Sequence, residues 1–476
     1  MTTPHQGGIF VLSEKIDAMK DELVAGIREA VRIKSVGGEP AEGAPYGEGP
    51  RKCLDWTLAF AEKMGFRTKN VDNVAGWAEM GEGAGMVAVL GHLDVVPEGK
   101  GWTVDPWGGE LKDGMVWGRG VLDNKGPVII ALFAAKAIFD AGLKLKRRVR
   151  VIFGTNEEQG SKCMKRYVEV GEELPIAGFT PDAEYPIIYA EKGIITYTVS
   201  LPFAPSGEMK VTSLEGGVAA NVVMAEVTAV IEDSRAECRQ RVTAAASAWK
   251  GPEGSSLSAA DDGSSVTLVM KGRPAHGSTP EKGINALACL ADFMAGLKLK
   301  GEQGEFFNTF SRLVGFETDG KSLGAAMADE VSGPTTACVG VVKAEKDRVS
   351  FTINIRYPVT AKEEAVTGPT EETFSRYGLA VENVSKAAPL YMPPESRLIR
   401  ALRKVYTEET GQEATLLAIG GGTYAKSMPN VVAFGPVFPG QDYTIHEEDE
   451  RWSVEDIMKN AHIMAKALVE LAEEQE

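Results

Sequence analysis

Apolar residues at Ile16, Met19, Leu23, Ile27 and Val31 recur every three or four positions across residues 13–36, with charged residues between them. That spacing predicts an amphipathic helix. Residues 37–50, rich in Gly, Pro and Glu, predict a loop, and residues 53–64 a second helix. Residues 86–90 form an apolar run of strand length that ends at Gly91 and His92. Gly126-Pro127 opens a long apolar helix, and Pro127 suits the first helical position because its fixed φ is already helical. Further strands are predicted over 148–153 and 187–190. Strands alternating with helices predict an α/β domain, a mainly parallel sheet flanked by helices, with its ligand site at the carboxyl ends of the strands.

The texture changes after residue 192. Strand-like runs at 194–201, 265–271 and 348–355 and helical stretches at 221–246 and 283–297 are interrupted by polar segments such as 251–264, rich in Ser and Gly. The α/β pattern then returns, with a helix over 398–410, a strand over 431–434 and a helix over 453–470 capped by Ser453. The economical organisation is one α/β domain built from residues 1–192 plus 386–476, with an α+β domain of residues 193–385 inserted into it. Both halves of the insert hold a strand–helix–strand pattern, which is what a weak internal duplication into two similar lobes would leave.

A chain of 476 residues is too long for one core. Its formal charge of −16 argues against nucleic acid or an anionic membrane as a partner. Cys53, Cys163, Cys238, Cys289 and Cys338 are odd in number and form no C-x-x-C pair, so reduced thiols in a reducing compartment are expected. Residues 1–11 hold no basic segment followed by a long apolar run, and the apolar stretch 127–139 is too short to span a bilayer and contains Lys136. A cytoplasmic protein fits these features.

Chemistry gathers where apolar runs end. A lone histidine is more often structural than a ligand, but His92, His276 and His446 each lie in a turn-like context beside Gly, Pro or acidic residues. In His92-Leu93-Asp94 the outer two residues face one side of a strand, so one can bind a metal while the other orients it; a plain polar strand end is the bland alternative. Asp123 precedes a helix N-terminus, where a carboxylate serves equally as a helix cap or as a bridge between two cations. Glu157-Glu158 closes a buried strand, where two adjacent acids repel unless a positive group is near. One of the pair can bind metal while the other faces water as a general base; a solvated acidic loop is the alternative. Asp182 supplies another acid beside a strand. Asp123, Glu158 and Asp182 with a hydroxide balance two divalent cations, and His92 and His446 can give each ion one nitrogen. Gly421, Gly422 and Thr423 lie in a Gly-rich segment that reads as backbone approaching a substrate. Ala425 before Lys426 breaks the phosphate-loop pattern.

Seven features in order, Gly91-His92-Leu93-Asp94-Val95-Val96-Pro97, Gly118-Arg119-Gly120 through Asp123-Asn124-Lys125-Gly126-Pro127, Thr155-Asn156-Glu157-Glu158, Pro181-Asp182-Ala183-Glu184, Ala275-His276-Gly277-Ser278-Thr279-Pro280, Gly420-Gly421-Gly422-Thr423-Tyr424-Ala425 and His446, resemble the M20 family of metallopeptidases, the ArgE/DapE/carboxypeptidase G group. The likeness covers nearly the whole chain and is closest to the bacterial dipeptidase V type. It implies that His92, Asp123 and Asp182 bind one metal, and that Asp123, Glu158 and His446 bind a second. It implies that Asp94 orients His92, that Glu157 is the general base and acid, and that His276 on an inserted lid domain stabilises the oxyanion. Asn221 and Arg356 resemble lid positions that contact substrate, Arg356 pairing with its terminal carboxylate. Without the family, Asn221 reads equally as a helix cap and Arg356 as a surface charge. Mixed nitrogen and oxygen ligands suit Zn²⁺, with Mn²⁺ or Co²⁺ as alternatives.

The resemblance thus implies a zinc metalloprotease of the dipeptidase kind, a hydrolase acting on small peptides; a duplicated insert, which would let a single chain supply its own second lid lobe, favours a monomer. An N-acyl amino acid deacylase (desuccinylase or deacetylase) of the same group uses the same metal site. A non-catalytic peptide- or metal-binding scaffold is the rival from another class, and the pairing of Glu157 with five candidate ligands argues against it. No G-x-G-x-x-G opens a helix after the first strand, which disfavours a dinucleotide-binding oxidoreductase.

Overall fold

The structure, a computed structural model, describes residues 4–473. It divides into two compact units. Of the described residues, unit 1 comprises those up to 189, 392–417 and those from 422 on, and unit 2 comprises 190–391 and 418–421. The sequence reading placed the boundaries at 192/193 and 385/386.

Unit 1 is built on a mixed sheet whose centre is parallel. Met86–His92 runs parallel to Arg148–Gly154 on one side and to Ala177–Thr180 on the other, and Val431–Ala433 continues the parallel order. Antiparallel strands flank this centre: Ala75–Met80 beside Arg148–Gly154, Arg67–Val71 beyond it, and Ile187–Glu191 beside Val431–Ala433. Every residue of Met86–His92 is buried, which is why its sequence reads as an unbroken apolar run rather than an alternation. The short flanking strands Arg67–Val71 and Ala75–Met80 lack that signature and were not expected from the sequence.

Helices cover both faces. Glu48–Lys63, Lys125–Asp140 and Val454–Glu473 cover one, with Lys20–Val31 stacked on Lys125–Asp140; Lys162–Glu169 and the 3-10 turn Tyr424–Ser427 cover the other. The helix predicted over 13–36 is two, Pro4–Ala18 and Lys20–Val31, broken at Met19. Ser453 caps the last helix as expected, its Oγ accepting the Asp456 N–H at 3.0 Å. Among the described residues no helix is long and apolar enough to cross a membrane. All five cysteines are buried free thiols.

Unit 2 is an eight-stranded antiparallel sheet in the order 256–261, 265–271, 226–232, 210–216, 336–345, 348–357, 193–202, 380–387. Its two four-stranded halves meet in the register pairs Glu215↔Lys343 and Gly216↔Val342. Its core joins strand residues such as Ile195, Tyr197 and Leu268 to Val242, Leu287, Phe306 and Val366 from four helices. The helix expected over 221–246 forms only at Ala236–Ala248. Residues 226–232 are a strand, because Val227, Ala229 and Ile231 bury alternate positions while Glu226, Thr228 and Val230 stay less buried. The polar segment 251–264 likewise contains the strand Ser256–Asp261, an edge strand whose exposed residues carry no apolar signature. The helix Gly301–Leu313 was not anticipated.

Inside unit 1 the amide of Asn460 ties the last helix to the small parallel pair of Ala183–Glu184 and Pro436–Val437. Asn460 Nδ2 donates to Pro436 O at 3.0 Å, and Tyr185 Oη donates to Asn460 Oδ1 at 2.9 Å. Both partners are buried, so Asn460→Ala leaves them unsatisfied at a cost of about 1–3 kcal/mol. The variant is expected to melt at a lower temperature in differential scanning calorimetry while its activity per folded molecule stays at the wild-type level.

Candidate active site

Three neighbouring parallel strands end at one edge of the unit 1 sheet. His92 is the last residue of Met86–His92 and pairs in register with Gly154, the last residue of Arg148–Gly154. Three and four residues further on come Glu157 and Glu158. Thr180 ends the third strand, two residues before Asp182. The register of the sheet therefore delivers an imidazole and three carboxylates to one place, as expected for the carboxyl edge of a parallel sheet. Gly91 allows the next approach: a Cβ there would lie 2.5 Å from Asn124 Oδ1 and 2.6 Å from Val128 Cγ2. That brings the N-terminus of Lys125–Asp140, and Asp123 just before it, against the strand end.

Asp123 is the shared member. Its Oδ1 lies 2.8 Å from His92 Nε2 and its Oδ2 lies 2.8 Å from His446 Nε2. His92 Nε2 is also 3.5 Å from Asp182 Oδ1, and His446 Nε2 is 3.1 Å from Glu158 Oε1. Two groups result, His92–Asp123–Asp182 and Asp123–Glu158–His446, each with its ligand atoms within 4.8 Å of one another. Mixed imidazole and carboxylate donors of this kind suit a divalent cation such as Zn²⁺ or Mn²⁺.

Asp94 stands behind both elements. The His92 Nδ1 contact at 2.8 Å is with the Asp94 carbonyl oxygen, while the carboxylate lies 3.7 Å away. The carboxylate instead accepts the backbone N–H groups of Glu157 at 3.0 Å and Glu158 at 3.1 Å. A single side chain thus holds the acidic turn, and its backbone holds the imidazole.

The electrostatics are those of a crowded anionic cluster. Burial, with Asp182, Glu158 and Asp123 nearby, pushes Glu157 well above the usual carboxylate range, although His92 opposes it. Burial pushes Asp182 up to about 7 and Asp94 up to about 6, against the pull of His92. Burial alone would lower both imidazoles. Asp182 and Asp123 outweigh it at His92, and Asp123 and Glu158 outweigh it at His446, which rises to about 10. Asp123, between two imidazoles, is held far below the ordinary range although burial opposes this. The cluster favours positive charge, whether as protons or as cations.

Several supporting residues were not singled out from the sequence. Asn124 donates to Pro181 O at 2.6 Å and accepts the His92 N–H at 3.2 Å, linking three segments of the site. The Tyr424 ring sits edge-on to His92, with centroids 6.0 Å apart, and its hydroxyl is 2.9 Å from Cys163 Sγ. Glu450 is wholly buried and accepts hydrogen bonds from the segment that carries Asp123. Asn124 and Tyr424 stand inside motifs already noted, so adjacency to Asp123 and Thr423 was their only available signal. The signal for Glu450 was an acid wedged beside the buried Trp452.

Thr423 and Gly422 belong to unit 1, where Thr423 Oγ1 accepts the Ala425 N–H at 3.2 Å; Gly421 groups with unit 2. His276, Asn221 and Arg356 also lie in unit 2 and converge there. Arg356 Nη2 is 3.2 Å from His276 Nε2, His276 Nδ1 is 2.6 Å from Ser278 Oγ, and the Asn221 carbonyl accepts the Gly277 N–H at 2.7 Å. Asn221 caps no helix, since the following helix starts at Ala236. Arg356 is buried rather than a surface charge, and its Nε donates to Asn354 Oδ1 at 3.0 Å.

The pattern of Peptidase family M20/M25/M40 matches residues 88–470. "Putative dipeptidase YtjP" of Bacillus subtilis (strain 168) is 38% identical over 459 residues, covering 95% of this chain and 98% of that protein. "Putative dipeptidase SH1171" of Staphylococcus haemolyticus (strain JCSC1435) is 31% identical over 471 residues, covering 97% and 99%. In fold the chain is similar to the di-peptidase Dug1p from Saccharomyces cerevisiae, with a TM-score of 0.60, 16% identity and coverage of 99% and 100%. It is also similar to human carnosine dipeptidase 1, with a TM-score of 0.58, 18% identity and 98% coverage of each chain.

A cation entering this cluster must displace protons from groups whose affinity for them is raised, Asp182 at about 7 and His446 at about 10 among them. Cation binding therefore strengthens as pH rises through these values. The gain in melting temperature on adding Zn²⁺ or Mn²⁺ to chelator-treated protein is expected to be larger at pH 8 than at pH 5. Thermal shift assays at the two pH values check this, and an equal gain would contradict it.

Proposed function

This chain belongs to Peptidase family M20/M25/M40, and from that premise we propose that it is a metal-dependent dipeptidase that hydrolyses the peptide bond of unblocked dipeptides. The observation that carries the reading is the position of Asp123, shared by two imidazole–carboxylate groups with Glu157 beside them. His92, Asp123 and Asp182 would hold one divalent cation, and Asp123, Glu158 and His446 the other. Zn²⁺ is favoured by the mixed nitrogen and oxygen donors, with Mn²⁺ or Co²⁺ accepted. Bound there, the cations supply Lewis acidity toward the scissile carbonyl and acidify the attacking water.

Glu157 performs the proton transfers. Its carboxylate takes a proton from the attacking water as the new C–O bond forms, then delivers that proton to the leaving amine as the C–N bond breaks. Burial and the surrounding acids raise its proton affinity well above that of an ordinary carboxylate, which favours its taking up a proton. Asp94 keeps the Glu157 backbone in place. In unit 2, His276 would donate to the developing oxyanion through Nε2 once substrate draws Arg356 Nη2 away from that nitrogen, with Ser278 Oγ at Nδ1 orienting the ring. Arg356 and Asn221 would contact the substrate termini, and the Gly421, Gly422 and Thr423 segment would offer it backbone groups.

The dipeptidase reading is tested with purified protein and Zn²⁺, Mn²⁺ or Co²⁺ on free dipeptides, tripeptides and N-acyl amino acids. Free dipeptides are expected to be cleaved fastest. Preferential release of acyl groups from N-acyl amino acids would instead establish the deacylase alternative. Glu157→Ala is expected to retain the wild-type cation stoichiometry in elemental analysis while losing at least about 10²–10⁴ in kcat, the usual worth of a positioned acid–base group. Loss of one cation would instead make Glu157 a ligand.

A further inference from the structure

Glu450 is a buried acid that the mechanism above does not use. Its carboxylate is fully enclosed and takes four hydrogen bonds. Oε1 accepts the backbone N–H groups of Leu122 at 2.8 Å and Asp123 at 3.2 Å; Oε2 accepts Gly120 N–H at 3.0 Å and Arg119 Nη1 at 2.8 Å. The tie runs both ways: Gly118 N–H donates to the Glu450 carbonyl at 2.9 Å, and Arg119 Nη2 donates to the Glu447 carbonyl at 3.0 Å.

These contacts matter because of what the two segments carry. Asp123 lies outside any regular element, since the next helix begins at Lys125, and Gly120 at φ 91° keeps the preceding turn irregular. No ladder or helical hydrogen bond therefore fixes the Asp123 backbone. His446 also sits in a turn, with left-handed φ of 65° at His446 and 56° at Asp449. Glu450 stands four residues after His446 and binds the Asp123 N–H directly, so one side chain joins both turns. Resting on the metal-binding reading of Asp123 and His446, we propose that Glu450 is the positioning residue that locks these two ligands into register for the cation they share with Glu158. It does not touch substrate or reacting atoms.

The chemistry of the cradle demands a carboxylate. All four donors converge on two oxygens, and a carboxylate is acceptor on both. A glutamine of the same length would turn an NH₂ toward two N–H groups and leave Arg119 without its counter-charge. An aspartate keeps the charge but is one methylene too short to reach both pairs. Loss of partners that orient ligands typically costs about 10–100-fold in metal affinity.

The test uses the full-length protein with Co²⁺ as probe. Chelator-treated wild type, Glu450→Gln and Glu450→Asp are titrated with Co²⁺, following visible absorption and heat of binding, with Asp123→Ala as a reference. Far-UV circular dichroism identifies which variants are folded, and the aspartate variant serves if the glutamine one is not. The expected result is a folded variant whose Co²⁺ affinity is about 10–100-fold weaker and whose visible spectrum is altered. Its kcat is expected to fall at limiting cation and recover with excess, while KM for a dipeptide stays put. A purely structural role would lower the melting temperature and leave Co²⁺ affinity and spectrum at wild-type values; that result in a folded variant overturns the proposal. Wild type that binds no Co²⁺, or an Asp123→Ala variant that binds as wild type does, would instead overturn the metal reading itself, an outcome distinct from a variant that merely matches wild type.

Discussion

Repulsion among buried carboxylates is the constraint around which unit 1 is organised. Asp94, Asp123, Glu157, Glu158 and Asp182 come from four separate stretches of chain, and two imidazoles, His92 and His446, lie directly among them. Isolated carboxylates in such surroundings are costly, and their proton affinities show it. A scaffold that tolerates this must hold the acids rigidly, since any loosening would let them turn toward water. The parallel register of three buried strands provides that rigidity: one ladder runs out to His92 and Gly154, and Ala177–Thr180 is paired alongside over Val87–Val89.

Beyond the strand ends, backbone-directed side chains take over. Asp94 accepts two N–H groups from the Glu157–Glu158 turn, Asn124 reaches Pro181 O ahead of Asp182, and Glu450 gathers the turn before Asp123. The anionic groups therefore divide into two kinds. Some spend their oxygens on main-chain donors and fix geometry; others present oxygens to the imidazoles and to one another. Main-chain N–H groups are good partners for the first kind because they carry no competing charge and cannot move without disrupting the fold.

Much of this was legible from residue order, and the reasons for the exceptions are physical. His92, Glu158 and Asp182 were readable because each stands beside an apolar run that marks a buried element, Asp123 because it precedes a helix N-terminus, and His446 because it lies in a turn-like context beside acids; the structure gathers them in one cluster. The parallel centre was readable because doubly buried strands are continuous in hydrophobicity. Short or exposed strands, such as Arg67–Val71 and Ser256–Asp261, carry no such mark. Residues 226–232 were misread because an apolar strand followed closely by a helix imitates one long helix when the period is not resolved. Asn124 and Glu450 escaped notice because a side chain that binds backbone leaves no spacing rule in the sequence, and Tyr424 because its contacts with His92 and Cys163 are just as remote along the chain. The same blindness applied to Asp94: its position two residues from His92 was plain, but its hold on a turn 63 residues away was not.

That hold explains how two adjacent glutamates can differ in chemistry. Glu157 and Glu158 share one anchor, each giving its N–H to a different oxygen of Asp94, so their backbone positions are fixed as a pair. Consecutive side chains on such a turn cannot point the same way. Glu158 extends to His446 at 3.1 Å and joins the Asp123 group. Glu157 is left facing the field of Asp182, Glu158 and Asp123, and burial in that field raises its proton affinity. In the proposed mechanism, the distinction between an acid that binds a cation and an acid that carries a proton therefore does not reside in residue type, which is identical. It follows from the direction imposed on each by a third carboxylate that does neither.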